Sequence, residues 1–226
     1  MIYSRRQLLG AGAAAGFLAT AAQGQTLAEI VAGLKDPEPR PIRPAVPAQP
    51  RVFVDGVIDP RLLTRARAAF DRHRGRLGHT DVVAIADFSR PSHDHRFYLL
   101  DTASGRISNH LVAHGRGSDP DHSGFVERFS NAFGSEASSQ GGYRTGDYYQ
   151  GKYGRSLRLS GLDWSNSNAE ARAIVVHSAW YAEPEQLQAN GKLGRSEGCF
   201  ALPYHSLQQV LARLGPGRFL YADKLA

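Results

Sequence analysis

The chain has 226 residues, which is enough for one domain with a sizeable core and short for two large ones. Its 27 basic and 21 acidic residues give a formal net charge of +6, and 42% of its residues are hydrophobic, as in an ordinary globular chain. Because the basic residues are scattered rather than clustered, the composition argues against nucleic-acid binding and is compatible with an anionic partner.

The first 24 residues have the three parts of an export signal. Residues 4–9 (SRRQLL) form a charged start, residues 10–22 a short Ala/Gly-rich apolar run, and residues 19–21 a small-x-small cleavage site. The paired arginines resemble a twin-arginine signal. We therefore predict a signal peptide over residues 1–24, a periplasmic location, and no stable membrane insertion once the signal is removed.

A proline-rich segment follows the predicted signal. Six of the twelve prolines of the chain lie within residues 36–50, and such a run favours extended polyproline II structure over helix or central strand. We interpret residues 25–50 as a linker or a strap, and we predict one globular catalytic domain over residues 51–226.

Within that domain, the first predicted element is a helix over residues 61–73, with Asp59 as its cap and Pro60 in its first position. Residues 115–142 are rich in Gly, Ser, Asp and Asn, and they predict a long loop. A second helix is predicted over residues 204–214. One helical turn is predicted at residues 168–172. Short apolar runs predict six strands, over residues 82–88, 96–101, 107–113, 156–160, 173–176 and 218–221. The sum is a mainly β domain with two or three helices, which is a β-rich α+β fold.

The chain has a single cysteine, Cys199. An exported protein with one cysteine cannot form an internal disulfide, so this thiol is free in an oxidising compartment. Such a thiol is either buried as a small hydrophobic group or used for chemistry.

His177 is a candidate partner for this thiol. A cysteine is a good nucleophile as its thiolate, and a nearby imidazole lowers the thiol pKa and transfers protons. His177 stands at the end of a predicted strand, and Cys199 follows Gly198 in a turn whose backbone N–H groups could face an oxyanion. Residues 178–198 can loop out and return, which would bring the two side chains together. From the residues alone, a buried cysteine and a hydrogen-bonded strand histidine remain the alternative.

The two residues lie within a family motif. His177-Ser178 followed by Gly194-Arg-Ser-Glu-Gly-Cys199 resembles the signature of L,D-transpeptidases of the YkuD-like fold, and most closely a variant branch with Gly-Arg-Ser-x-Gly-Cys. The resemblance implies an L,D-transpeptidase-type β-sandwich or barrel and covers roughly residues 82–221. It extends to shorter segments upstream, at 113–118 (AHGRGS), 129–131 (FSN), 138–139, 142–143 and 159–162 (LSGL).

The resemblance also implies a mechanism without a cofactor or a metal. Cys199 would attack the carbonyl that joins an L-centre to a D-centre in a peptidoglycan stem peptide, and His177 would act as base and then as acid. The Ser178 backbone carbonyl would orient the imidazole, and the backbone N–H groups of Gly198 and Cys199 would form an oxyanion hole. An amine acceptor would give a diaminopimelate–diaminopimelate or an L-alanine–diaminopimelate cross-link, whereas water would make the enzyme an L,D-carboxypeptidase.

This sequence departs from the common branch of the family near the cysteine. Glu197 stands where that branch has His, and Ala201 stands where it has Asn or Arg. Arg195 could supply the missing charge to a substrate carboxylate, although a structural salt bridge is an equal alternative for it. Further polar or aromatic residues could line the peptide groove: Ser196, Tyr143 and Ser139.

Two other classes of function stay open. The first is a zinc-dependent cell-wall hydrolase, because five potential ligands lie within residues 110–122 and two more histidines, His93 and His95, lie upstream. This spacing matches no zinc signature; the five residues are His110, His114, Asp119, Asp121 and His122. The second is a non-catalytic wall-binding module, which would not require the unpaired thiol of Cys199.

Overall fold

The computed structural model describes residues 58–226. The predicted signal peptide and the proline-rich segment lie outside these residues, so their boundaries stay predictions. Between residues 58 and 226, no helix is both long enough and apolar enough to cross a bilayer.

Three α-helices lie in this part of the chain: α1 (Pro60–His73), α2 (Pro184–Asn190) and α3 (Tyr204–Leu214). The predictions of α1 and α3 are confirmed. The Asp59 side chain caps α1 by accepting a hydrogen bond of 2.8 Å from the backbone N–H of Arg61. Helix α2 was not predicted, because its sequence is short and polar, and none of its residues is buried.

Eight strands form one mixed sheet in the order β3-β2-β1-β8-β4-β5-β6-β7. The pairs β1–β8 and β6–β7 are parallel, and the other pairs are antiparallel. The prediction of a mainly β fold with a few helices is confirmed. The strands are β1 (Val82–Asp87), β2 (Phe97–Asp101), β3 (Ile107–His110), β4 (Gly141–Gly151), β5 (Gly154–Gly161), β6 (Val175–Ser178), β7 (Phe200–Leu202) and β8 (Phe219–Asp223).

The two edges of this sheet are joined by the chain that follows β3. Ala113 forms an antiparallel bridge with Ala201 of β7, and its N–H donates to the Ala201 carbonyl at 2.8 Å. A parallel bridge between Gly115 and Ser196 continues the contact. The chain after β3 therefore closes against the β7 edge of the sheet through isolated bridges, in the manner of a barrel.

Both faces of the sheet are buried. Along β1, Val82, Ala84 and Ala86 belong to one apolar cluster, and Val83 and Ile85 belong to another, as the two-residue period of a strand requires. Helix α3 covers the first cluster and α1 covers the second. A third, smaller cluster lies beside the site described below and includes Ala113, Ala179 and Ala201.

The structure corrects the prediction at β4, β7 and β3. Strand β4, the longest, begins inside the predicted loop 115–142. It was not predicted because its glycines are typical of loops. A Cβ on Gly142 would lie 2.7 Å from the Phe219 ring, so close packing against β8 requires glycine there. Strand β7 was not predicted at all. Strand β3 ends at His110 rather than at residue 113, so His114 lies beyond the strand.

Candidate active site

His177 and the segment that carries Cys199 lie side by side in the sheet. His177 is in β6 and pairs with Ala201 of the neighbouring parallel strand β7. Cys199 precedes β7 and is two residues before Ala201. Side chains two residues apart on a strand lie on the same face of the sheet. This register therefore puts Cys199 near the end of the face that carries His177 and Ala201. The chain between them leaves β6 and returns as β7.

A hydrogen bond to the backbone orients the His177 ring. Its Nδ1 lies 2.8 Å from the Ser178 backbone carbonyl, and a carbonyl can only accept, so Nδ1 carries the proton and Nε2 keeps its lone pair. Burial lowers the pKa of His177 below its usual range, and the hydrogen bond to Ser178 opposes that shift in part. The imidazole is therefore neutral at neutral pH and can accept a proton at Nε2.

Tyr153 covers the face of the same ring. The two rings are stacked, with centroids 4.9 Å apart and planes inclined by 19°. Tyr153 stands in the turn between β4 and β5, and its carbonyl accepts a 3.1 Å hydrogen bond from Ser178 Oγ. Tyr153 could not be predicted as part of the site, because only the tertiary fold brings this hairpin turn to β6.

Cys199 is half-buried, and its thiol contacts a backbone carbonyl. Sγ lies 3.5 Å from the carbonyl oxygen of Ala173, a residue with φ of +54°. Burial raises the pKa of the Cys199 thiol to about 11, although the backbone N–H of Val175 and the charge of Arg172 act in the opposite direction. In this arrangement the sulfur is protonated at neutral pH, so it must lose its proton to a base in order to attack.

Ser196 and Gly198 build the turn before the cysteine. Ser196 Oγ accepts from the Gly198 N–H at 3.2 Å and donates to the Cys199 carbonyl at 2.7 Å. Gly198 has φ of +112°, and a Cβ there would lie 2.6 Å from the Ala137 carbonyl oxygen, so the position requires glycine.

The predicted oxyanion donors differ in their availability. The Gly198 N–H is already engaged by Ser196 Oγ. The Cys199 N–H, by contrast, has no acceptor among residues 58–226. The donor that this arrangement offers to an oxyanion is therefore the N–H of Cys199, and Gly198 serves the turn.

Three residues predicted to bind substrate are instead bonded within the protein. Tyr143 and Ser139 are fully buried, and the Tyr143 hydroxyl donates to the Ser139 carbonyl at 2.7 Å. Ser196 is also buried and holds the turn described above. No part of the Tyr143 or Ser139 side chain reaches the surface in this structure, and the predicted substrate contact of Ser196 stays a prediction.

Arg195 is partly exposed and is bonded to a neighbouring loop. Its guanidinium donates to the backbone carbonyl of Asp119 and, at 3.0 Å, to that of Pro120. No carboxylate between residues 58 and 226 forms a salt bridge with it. The Arg195 guanidinium, which we predicted to bind a substrate carboxylate, is thus close to the turn before Cys199 and also bonds two backbone carbonyls of a neighbouring loop.

Two of the histidines considered as metal ligands, His114 and His122, have other partners. His114 is buried, and its Nδ1 accepts from Arg96 at 2.7 Å while Nε2 lies 3.2 Å from Asp119 Oδ2. His122 Nε2 donates to the Leu193 carbonyl at 2.9 Å. Within residues 58–226, no three His, Cys, Asp or Glu side chains form a group that could hold a metal ion.

The comparison with known families identifies the chain. A model of the L,D-transpeptidase catalytic domain matches residues 55–222. The chain belongs to this family of cell-wall enzymes. No curated protein matches its sequence.

Solved L,D-transpeptidases resemble the structure at low identity. The enzyme from Mycobacterium smegmatis is 13% identical with a TM-score of 0.39, over 63% of this chain and 58% of that one. L,D-transpeptidase 3 from Mycobacterium tuberculosis is 15% identical with a TM-score of 0.41, over 63% and 61%. The enzyme from Xylanimonas cellulosilytica is 14% identical with a TM-score of 0.35, over 76% and 73%.

The chain thus spans about three fifths of the length of the first of these transpeptidases that it matches. All three comparisons lie below 25% identity and below a TM-score of 0.5. The family assignment rests on the match of the family model to the sequence.

Proposed function

We propose that this protein forms cross-links between peptidoglycan stem peptides through a thioester on Cys199. The observation that supports the proposal most is the placement of a neutral imidazole with an open Nε2 on the strand beside the cysteine segment. Family membership gives the class of enzyme, and this geometry supports the roles proposed here for His177 and Cys199.

In the first half-reaction, the thiol turns away from the Ala173 carbonyl and gives its proton to His177 Nε2. The sulfur then attacks the carbonyl carbon between the L-centre and the D-centre. The negative oxygen of the tetrahedral intermediate accepts a hydrogen bond from the Cys199 N–H. As the C–N bond breaks, protonated His177 gives its proton to the leaving amine, and the donor peptide remains as a thioester.

In the second half-reaction, the amine of an acceptor stem peptide attacks the thioester carbon and loses a proton to His177. The C–S bond breaks, and the proton returns to the Cys199 sulfur. The product is a diaminopimelate–diaminopimelate or an L-alanine–diaminopimelate link. If water takes the place of the amine, the product is a free carboxylate and the enzyme is an L,D-carboxypeptidase.

The proposal includes export to the periplasm, where peptidoglycan is accessible. Its support is the sequence of residues 1–24, with paired arginines, a weak apolar run and a small-residue exit. Because the chain has one cysteine, the thiol cannot be consumed by an internal disulfide in that compartment.

The test incubates the purified chain with muropeptides and measures product masses for wild type, Cys199→Ala and His177→Asn. We expect cross-linked dimers from wild type and none from either variant. Shortened monomers without dimers would establish the carboxypeptidase instead. Dimers formed by Cys199→Ala would refute the nucleophile, and loss of wild-type activity with a chelator but not with iodoacetamide would support the zinc alternative. Wall binding without any chemistry would support a binding module.

A further inference from the structure

Arg172 bonds three acceptors in one loop. Its Nη1 donates to the Ser130 carbonyl at 2.7 Å and to Ser139 Oγ at 2.8 Å, and its Nη2 donates to the Ala137 carbonyl at 2.6 Å. Hydrogen bonds from a charged guanidinium are short and directional, so three of them fix the loop over residues 130–139 strongly.

That loop lies directly on the turn before Cys199. The Ala137 carbonyl, which Arg172 holds, approaches Gly198 so closely that a Cβ would lie 2.6 Å from it. Ser138 Oγ donates to the Gly198 carbonyl at 3.2 Å. The orientation of the peptide between Gly198 and Cys199, which carries the available N–H, is therefore determined in part by the loop.

The residue that follows Arg172 contacts the sulfur itself. The carbonyl of Ala173 is the acceptor of the Cys199 thiol, and its direction depends on the positive φ of that residue. The backbone N–H of Arg172 donates to the Asn168 carbonyl at 2.8 Å, and this bond holds both residues in one turn. Arg172 thus sits in the turn that contacts the thiol and bonds the loop that lies on Gly198.

We propose that Arg172 is a positioning residue for acyl transfer, which holds the 130–139 loop against Gly198 and so directs the Cys199 amide at the developing oxyanion. The inference rests on the proposed function. A guanidinium near the sulfur has a second effect, because its positive charge lowers the pKa of Cys199 while the carboxylate of Glu197 raises it. The ionisable groups that interact with the sulfur charge are Arg172, Glu197, Tyr143 and Tyr181.

The test compares Arg172→Gln, which removes the charge, with Arg172→Lys, which keeps it but cannot bond three acceptors. Arg158→Gln is the matched control, because Arg158 is an exposed arginine that stacks on Tyr149 at 4.5 Å. For each protein we measure melting temperature, kcat and KM on a donor peptide, and the pH dependence of Cys199 alkylation by iodoacetamide.

We expect Arg172→Gln to lower kcat about 10²-fold, as a small displacement of reacting groups does, with KM changed by less than about two-fold. The alkylation curve should move to higher pH, because a positive charge near the thiolate is lost. Arg172→Lys should restore that curve but not the full kcat, and Arg158→Gln should match wild type in both.

A folded Arg172→Gln protein with wild-type kcat and alkylation would overturn the proposal. So would a loss of kcat equal to the loss of folded protein, since that result is expected from a purely structural residue. If Arg172→Gln does not fold, Arg172→Lys decides, and a wild-type kcat would again overturn the proposal. If wild type forms no product at all, the proposed function fails. The effect of Arg172 on the Cys199 thiol is then tested by the alkylation curves alone.

Discussion

The described domain contains four buried histidines, and two of them, His114 and His177, differ in how many ring nitrogens are engaged. At His114 both ring nitrogens are engaged, one by Arg96 and the other by Asp119. At His177 only Nδ1 is engaged, by a backbone carbonyl. The His114 site is the more conspicuous of the two, because it pairs with a carboxylate as in a serine-protease triad. A buried histidine can act as a base only where a nitrogen keeps an open lone pair, so we assign the chemistry to His177.

The largest difference between the two sites is expected in catalysis. His177→Asn should lower kcat by at least about 10³-fold, because it removes the group that takes the thiol proton and returns it. His114→Asn should lower kcat per folded molecule by less than about ten-fold. Acyl transfer on a synthetic stem peptide measures both, with the folded fraction taken from circular dichroism. A variant of His177 that retains wild-type kcat would reverse the assignment.

The next largest difference is expected in stability. Asp119→Asn should destabilise the domain by about 3 kcal/mol, because it leaves the buried Arg96–His114 pair without its carboxylate. Asp121→Asn, an exposed neighbour, is the control and should change the free energy of unfolding by less than about 0.5 kcal/mol. Urea unfolding measures both; equal stabilities for the two variants would show that the His114 site contributes nothing to the fold.

Part of the pH dependence of stability should also come from the His114 site, beside a contribution from His110, whose pKa burial lowers to about 4. Burial, and the positive charge of Arg96, lower the pKa of His114 to about 3 in the folded domain. The unfolded chain then binds the extra proton below about pH 6.5, so the free energy of unfolding falls as pH falls from 6.5 towards 3.

The slope expected from this histidine is at most about 1.4 kcal/mol per pH unit, and His114→Gln should remove it. Urea unfolding at several pH values measures the slope. An unchanged slope in His114→Gln would mean that other groups set the acid sensitivity.

The smallest expected effect concerns Tyr153, which stacks on His177. Tyr153→Leu should lower kcat about five-fold, since an aromatic pair contributes about 1 kcal/mol beyond the area that it buries. Tyr149→Leu is the matched control, because Tyr149 belongs to the same hairpin and stacks on Arg158 instead. If both variants behave alike, the effect belongs to the hairpin and not to the stack.

Much of the candidate site could be predicted because its signals are local. The motif around His177 and Cys199 is visible in the chain, and the cap of α1 follows from Asp59 and Pro60 alone. The glycine at 198 was also recognised as a position that requires unusual backbone geometry.

The remaining features depend on tertiary contacts. Tyr153 and Arg172 reach the site through a hairpin and a turn whose positions only the folded sheet determines. Ser196 and Gly198 pair with each other in a turn of four residues, so the engaged N–H could not be read from spacing. Strand β4 carries four glycines, and it is stabilised by packing against Phe219 of β8, a contact that no local sequence pattern predicts.

The central claim is that Cys199 carries the acyl group and that His177 enables its transfer. Intact-protein mass spectrometry of the enzyme incubated with a donor stem peptide, followed by peptide mapping, measures this directly. We expect an adduct on the peptide that contains Cys199, reduced in His177→Asn and retained in His114→Asn. An adduct on any other residue, or product formation by Cys199→Ala without an adduct, would contradict it.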